Sequence, residues 1–302
     1  MFDPCPVATL RGTRLLLDGR GRVKPPPERA YVEVELQDLD GTGYLDGRRG
    51  TTRRTRDRAH RPDGDFRFRA GEVGFAEAMV YHHIDRALRW LEAMGYSGAR
   101  GIFRAPIPVD VRATEEDNSW YSPEEKLLCF GTGDVDDAED AETILHELGH
   151  ALQDAICPDF GACAQAPRRW GKGFGDYLAA TIFADRKPPA LRSSVMLWDG
   201  LRWNGPAGPP GVRRLDEPLT FESFEHDADE HDNGLIWSAA LWDVRAALGR
   251  EVADRLWSSR ATSSSTATRR WPAARARSST PTGTCTTART TTSSCGSSTG
   301  AG

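Results

Sequence analysis

The feature that most constrains this 302-residue chain is His146-Glu147-Leu148-Gly149-His150, set in the run from Thr143 to Gln153. That run reads as one amphipathic helix. Asp137, Glu139, Asp140 and Glu142 stand ahead of it, where the helix macrodipole favours negative charge. Residues four apart on a helix share a face, so both imidazoles can grip one zinc ion. The glutamate beside the first histidine can then reach a zinc-bound water and act as general base. His146 and His150 are therefore candidate metal ligands, and Glu147 is the candidate catalytic base.

Length allows about two domains or one large one, at roughly 150 residues each. A hydrophobic share of 38% with 27% charged residues suits a soluble globular protein. Mean hydropathy is −0.54, and no apolar run approaches the roughly 18 residues of a membrane span. The start, Met1-Phe2-Asp3-Pro4, lacks the basic and apolar regions of a signal peptide. The net charge is −5, and residues 258–302 hold six Arg and no Asp, Glu or Lys, so the body before them is more acidic still. Such a body argues against a nucleic-acid surface. None of Cys5, Cys129, Cys157, Cys163, Cys285 and Cys295 forms a C-x-x-C pair. Cys157 and Cys163 could close a small loop, but isolated thiols are the expectation.

Residues 1 to about 70 read as strands and turns, with period-two alternation at Tyr31-Val32-Glu33-Val34-Glu35-Leu36. Residues 49–62, rich in Arg and Thr, read as a loop. Residues 72–94 form a helix with an apolar face of Phe75, Met79, Ile84, Leu88 and Leu91. His82 and His83 on it are read as packing histidines. Residues 102–131 are strand-like. Beyond the motif helix, a second helix is expected from about Phe174 to Ala184 and a last one from near Asn233 to Leu248, with a Pro/Gly-rich loop at 205–211 between them.

Three blocks in order, Asp136 to Ala141 with His146 to Gln153, Gly173-Phe174-Gly175-Asp176-Tyr177-Leu178-Ala179, and His231 to Asp243, resemble the gluzincin zinc metallopeptidases. The look is of bacterial relatives of the fungalysin and thermolysin-like families, over roughly residues 1–257. The resemblance implies an α+β zincin fold: a mixed α/β upper lobe at 1–157, a mostly helical lower lobe at 158–257, and zinc in the cleft between them. It further implies a protein or peptide substrate, a monomeric enzyme, no membrane or nucleic-acid partner, and an extracellular location. Family members are made behind a signal and a propeptide, so an N-terminally truncated product is expected. His231 matches the histidine that stabilises the oxyanion, with a histidine in an acidic loop as the other reading. The acids around it, Asp227, Asp229, Glu230 and Asp232, could also bind Ca2+, although EF-hand spacing is absent. No Tyr between His150 and Tyr177 matches the tyrosine that follows the zinc helix in the family.

The family's third zinc ligand is a glutamate four residues before an aspartate that orients a zinc-binding histidine. Here Asp176 keeps the orienting place, and Lys172 occupies the ligand position. A protonated lysine offers no lone pair, and no other acid lies between Asp159 and Asp176. The reading is a zinc metalloendopeptidase impaired at its third ligand. Its rival is a catalytically dead pseudopeptidase, or a peptide-binding remnant of a decayed gene.

About half of residues 258–302 are Ser or Thr, as in a disordered linker. A frameshift explains more. Thr is encoded ACN, so a frame set back by one base reads each Thr as Asp, His, Tyr or Asn. With permitted codons, Thr282 to Ser298 then read as a helical terminus. Limited proteolysis is expected to trim the chain after about Ser258 while the body survives; equal resistance would contradict this.

Overall fold

The computed structural model describes residues 1–158, 165–204 and 211–263. Residues Met1–Ala267 form one compact unit, and Thr268–Gly302 fall in a second that lies outside the described residues. A four-stranded sheet is built from β1 (Gly50–Thr51), β2 (Ile107–Thr114), β3 (Trp120–Ser122) and β4 (Leu127–Gly131). Their order is β1-β2-β4-β3, with β1, β2 and β4 parallel and β3 antiparallel on the edge. Strand β4, Leu-Leu-Cys-Phe-Gly, is buried throughout, as a run apolar on both faces requires. In β2 the register shifts between Asp110 and Thr114, and Thr55 bridges the strand by bonding Val109 O and Val111 N.

Helix α1 (Pro6–Leu10) is short, and α2 (Val73–Ala93) is the long helix expected at 72–94. All five residues of its anticipated face are buried, Met79 and Ile84 completely. Each such side chain contributes about 1.5–3 kcal/mol relative to exposure. His83 is buried with its Nε2 3.0 Å from Phe2 O, which fits the packing reading.

The alternating segment Tyr31–Leu36 is not a strand. It runs extended without a ladder, and Glu33, Val34 and Glu35 are exposed. Tyr31 packs on Phe2 and Phe75, Val32 exchanges two main-chain bonds with Met1, Glu33 pairs with Arg67, and Leu36 packs near Tyr81, but none of these contacts is a strand ladder. The 49–62 stretch is more than a loop. It supplies β1, and its Arg49 is buried among Asp38, Asp85 and Glu92 at 2.6–2.8 Å.

Helix α3 (Ala141–Ile156) carries the motif. The acids ahead of it form a 3-10 turn, Asp137–Glu139, and then a cap: Asp140 Oδ1 accepts from Glu142 N at 2.8 Å. Its other oxygen accepts from the main chain of Trp198 and Asp199 at 2.9 and 3.1 Å. Glu142 pairs with the equally buried Lys187 at 2.5 Å. Thus the acidic run does more than complement the dipole, because it also ties distant chain to the start of the helix.

Helix α4 (Gln165–Phe183) begins well before the expected Phe174. The pair β5 (Ser194–Val195) and β6 (Arg213–Arg214) flanks the short α5 (Gly200–Asn204). Helix α6 (Glu230–Leu248) starts three residues earlier than expected because Asp229 caps it, accepting from His231 N at 2.8 Å. Helix α7 (Arg250–Ser263) crosses the expected break at 257/258; the rest of the Ser/Thr tail lies outside the described residues.

The helices meet closely because glycines face one another. A Cβ on Gly149 would lie 2.8 Å from Gly175 Cα, and one on Gly173 would run into the Gly234 carbonyl of α6. Gly173→Ala should therefore cost about 1–3 kcal/mol, because main chain cannot yield as a flexible side chain does. Gly19→Ala, with open space around it, is the control. A lower urea midpoint for the first and an unmoved one for the second are expected.

Candidate active site

Helix α3 presents His146 and His150 one turn apart, with ring centroids 4.9 Å from each other. His146 and Glu147 are buried. One ligand atom from each of His146, Glu147 and His150 lies within 4.8 Å of the others. Asp176, completely buried on α4, receives His146 Nδ1 at 2.8 Å. Its carboxylate is also gripped by Arg213 from β6, with Nε at 2.7 Å and Nη2 at 2.8 Å. Burial alone would raise the Asp176 pKa, but Arg213 and His146 hold it far below the usual carboxylate range. Its charge fixes the proton of His146 on Nδ1 and leaves Nε2 as the nitrogen with a lone pair.

Burial pulls the pKa of His146 down to about 4 against the opposing pull of Asp176, and it also lowers that of His150 well below its usual value. Both rings are neutral at pH 7, which is the form a metal binds. His150 Nε2 is buried without a hydrogen-bond partner, and so is Glu147 Oε2. Burial raises Glu147 to about 7, opposed by the charges of Lys172 and Arg213. A carboxylate poised there suits a general base at neutral pH.

Lys172 stands on α4 one turn before Asp176, the residue that receives His146. Its charge is felt by Glu147, His146, His150 and His231. Among the described residues no carboxylate lies within 4.0 Å of its ammonium. The donor set thus fits zinc in part only. Two neutral imidazoles, one with an orphaned nitrogen, suit the ion, and Lys172 beside them brings a cation rather than a donor. Glu147, the third member of the group at ligand spacing, could serve either as a donor or as a base.

His231, in the first turn of α6, lies with its ring 6.1 Å from that of His146. Its Nδ1 is 2.8 Å from Asp229 Oδ1. In the neutral ring the proton sits on that nitrogen, so donating from Nε2 to an oxyanion needs a second proton. Burial first, and then the charges of Lys172 and Arg213, lower the His231 pKa and oppose that protonation.

The structure therefore brings together Glu147, His146, His150, Asp176, Lys172 and His231. The acids of 227–232 do not gather as a calcium group; Asp229 is engaged with His231 instead. The other group at ligand spacing among the described residues is Asp117, Asp137 and Asp199. Cys5, Cys129 and Cys157 are free thiols, while Cys163, Cys285 and Cys295 lie outside the described residues. Sequence reading missed Arg213. It sits in a two-residue strand after a Pro/Gly-rich loop, with no spacing signal to tie it to Asp176.

No family model matches the chain. Two curated sequences named extracellular metalloproteinase 5, both from Arthroderma otae, are 27% identical to it over 117 residues. The match covers 36% of this chain and 18% of the relative, so the chain spans less than a fifth of that protein's length. It supports a distant relationship to a metalloproteinase. No helix among the described residues is long and apolar enough to cross a membrane.

Arg213→Ala should destabilise the fold by about 3–5 kcal/mol, because the Asp176 charge stays buried without its guanidinium. Arg213→Lys, which keeps the charge but not the fork, should fall in between. Urea unfolding checks both, and equal stability of Arg213→Ala and the parent would refute the assignment.

Proposed function

We propose that this chain is a zincin-type zinc metalloendopeptidase by descent, secreted and acting on protein or peptide substrates, whose hydrolytic step is blocked at the third metal ligand by Lys172. The observation that carries the reading is the His146–Asp176 bond. It ties α3 to α4, the helix that carries Lys172, and so supports reading Lys172 at the third-ligand position. In support stand the neutral histidine pair, the poised Glu147 and the distant metalloproteinase relative. The chain's own residues divide the work of peptide hydrolysis clearly. Glu147 takes a proton from water and passes it to the leaving amine. Asp176 holds the tautomer of His146, and His231 is placed to stabilise the oxyanion once protonated. A catalytic zinc needs three protein donors with one position left for water, and that condition fails here. What remains is a peptide-binding cleft with near-background turnover.

Lys172→Glu supplies the missing donor and removes the repelling charge. Metal stoichiometry after dialysis should rise from well below one zinc per chain to about one, the count of a single complete site. Glu147→Gln in that background should keep the metal and lose any cleavage of casein. Full zinc occupancy with robust cleavage by the unaltered chain would show that the third ligand comes from elsewhere.

A further inference from the structure

Most of the charge in the site is already answered. Asp176 is held by Arg213 and His146 through three bonds, and His231 Nδ1 is engaged with Asp229. Two charged groups are left open. Glu147 accepts from the Tyr121 main-chain N–H of β3, yet its Oε2 is buried without a partner. Lys172 is half-buried and makes no ion pair or hydrogen bond among the described residues. It acts on Glu147 through charge alone, with no bond between them. The face of α4 that meets α3 sets its place. Gly171 abuts the His150 ring, Gly175 abuts His146 and Asp176 bonds His146, and Lys172 lies on that same stripe. A buried polar atom without a partner carries a desolvation cost that a ligand can relieve.

The chemistry of the two groups decides what can satisfy both. An ammonium only donates hydrogen bonds, and an ionised carboxylate only accepts them. A ligand carboxylate would suit Lys172 and be repelled by Glu147. An amine would suit Glu147 and be repelled by Lys172. A neutral amide carries an acceptor and a donor on adjacent atoms and suits both. In a trans peptide the C=O and N–H point in opposite directions, which fits two groups that do not touch each other. Hydrogen bonds with one charged partner are roughly twice as strong as neutral ones. The interior of a peptide chain offers a row of such amides, whereas its termini are charged.

We propose that Lys172 and Glu147 clamp one intact trans peptide unit between them without a metal, Lys172 Nζ donating to its carbonyl oxygen and Glu147 Oε2 accepting from its N–H. The clamp deepens the peptide-binding reading above and rests on it. The lysine that offers a metal no donor offers the carbonyl a hydrogen bond instead. No bond is made or broken; the peptide is held rather than cleaved. His150 Nε2, also buried and unpartnered, stands beside the clamp, with one ring nitrogen within 4.8 Å of a Glu147 oxygen. Its ring therefore reports occupancy.

The test uses the full chain in EDTA and three probes: N-acetyl-trialanine N-methylamide, which has amides and no charge, acetate, and methylammonium. The blocked peptide should bind saturably and move the ring nitrogen resonances of His150. Lys172→Met should weaken it about ten- to a hundredfold, the range for one hydrogen bond to a charged group. Lys172→Arg, which keeps a donor, should retain most of the affinity. The charged probes should respond in opposite ways. Lys172→Met should tighten methylammonium and Glu147→Leu should tighten acetate, which a purely structural role of either residue would not produce. Acetate or methylammonium binding the unaltered chain more tightly than the blocked peptide overturns the clamp. So does a peptide affinity that Lys172→Met leaves unmoved, or one that appears only when zinc is added. EDTA keeps the two readings apart. Zinc-dependent cleavage by the unaltered chain would sink the blocked metal site, whereas peptide binding in EDTA that ignores Lys172 sinks the clamp alone.

Discussion

The buried carboxylate of Asp176 organises the molecule. It receives an imidazole from α3 and a guanidinium fork from β6 while sitting on α4, so one charge joins three separate stretches of chain. An ion pair of this kind carries a desolvation cost, and only good geometry with several hydrogen bonds offsets it. Asp176 meets that demand with three short bonds. The same bonds fix which His146 nitrogen carries the proton. Structural stability and the chemistry of the site thus rest on the same atoms, and a change at Arg213 reaches a ring it does not touch.

Close helix packing makes that junction possible. The Gly149–Gly175 approach lets α3 and α4 come near enough for Asp176 to reach His146, and the Gly173–Gly234 approach brings α6 against α4, carrying His231 to within ring contact of His146. A Cβ on Gly175 would lie 2.8 Å from His146 Nδ1, the atom that bonds Asp176. The small residues of Gly171-Lys172-Gly173-Phe174-Gly175 are therefore geometric requirements of the site. They cost helix propensity, and tertiary contact offsets that cost.

Much of this was legible in the sequence because its signals are periodic or local. Residues four apart on one helix, as at His146 and His150 or Lys172 and Asp176, need only the helical repeat to be placed. The apolar face of α2 follows the same rule. What stayed hidden depends on contacts between segments far apart in sequence. Arg213 lies 37 residues from Asp176 and has no motif. Tyr31–Leu36 has the alternation of a strand, but a strand also needs a neighbouring strand to pair with, and this segment has none. The early starts of α4 and α6 show the limit of reading helix ends from apolar spacing alone, since the Asp229 cap precedes any apolar residue of its helix.

Charge balance explains how the fold tolerates Lys172. Asp176 and Glu147 bring two acids to the site, and Arg213 and Lys172 bring two cations, so the site approaches neutrality with three uncharged imidazoles around it. A lysine in this place supplies the positive charge a metal would bring but not its coordination. Electrostatics sets much of the stability of a buried cluster, while catalysis of this type needs directional donors around one ion. The charges of Asp176, Glu147, Arg213 and Lys172 answer the first requirement whether or not the second is met.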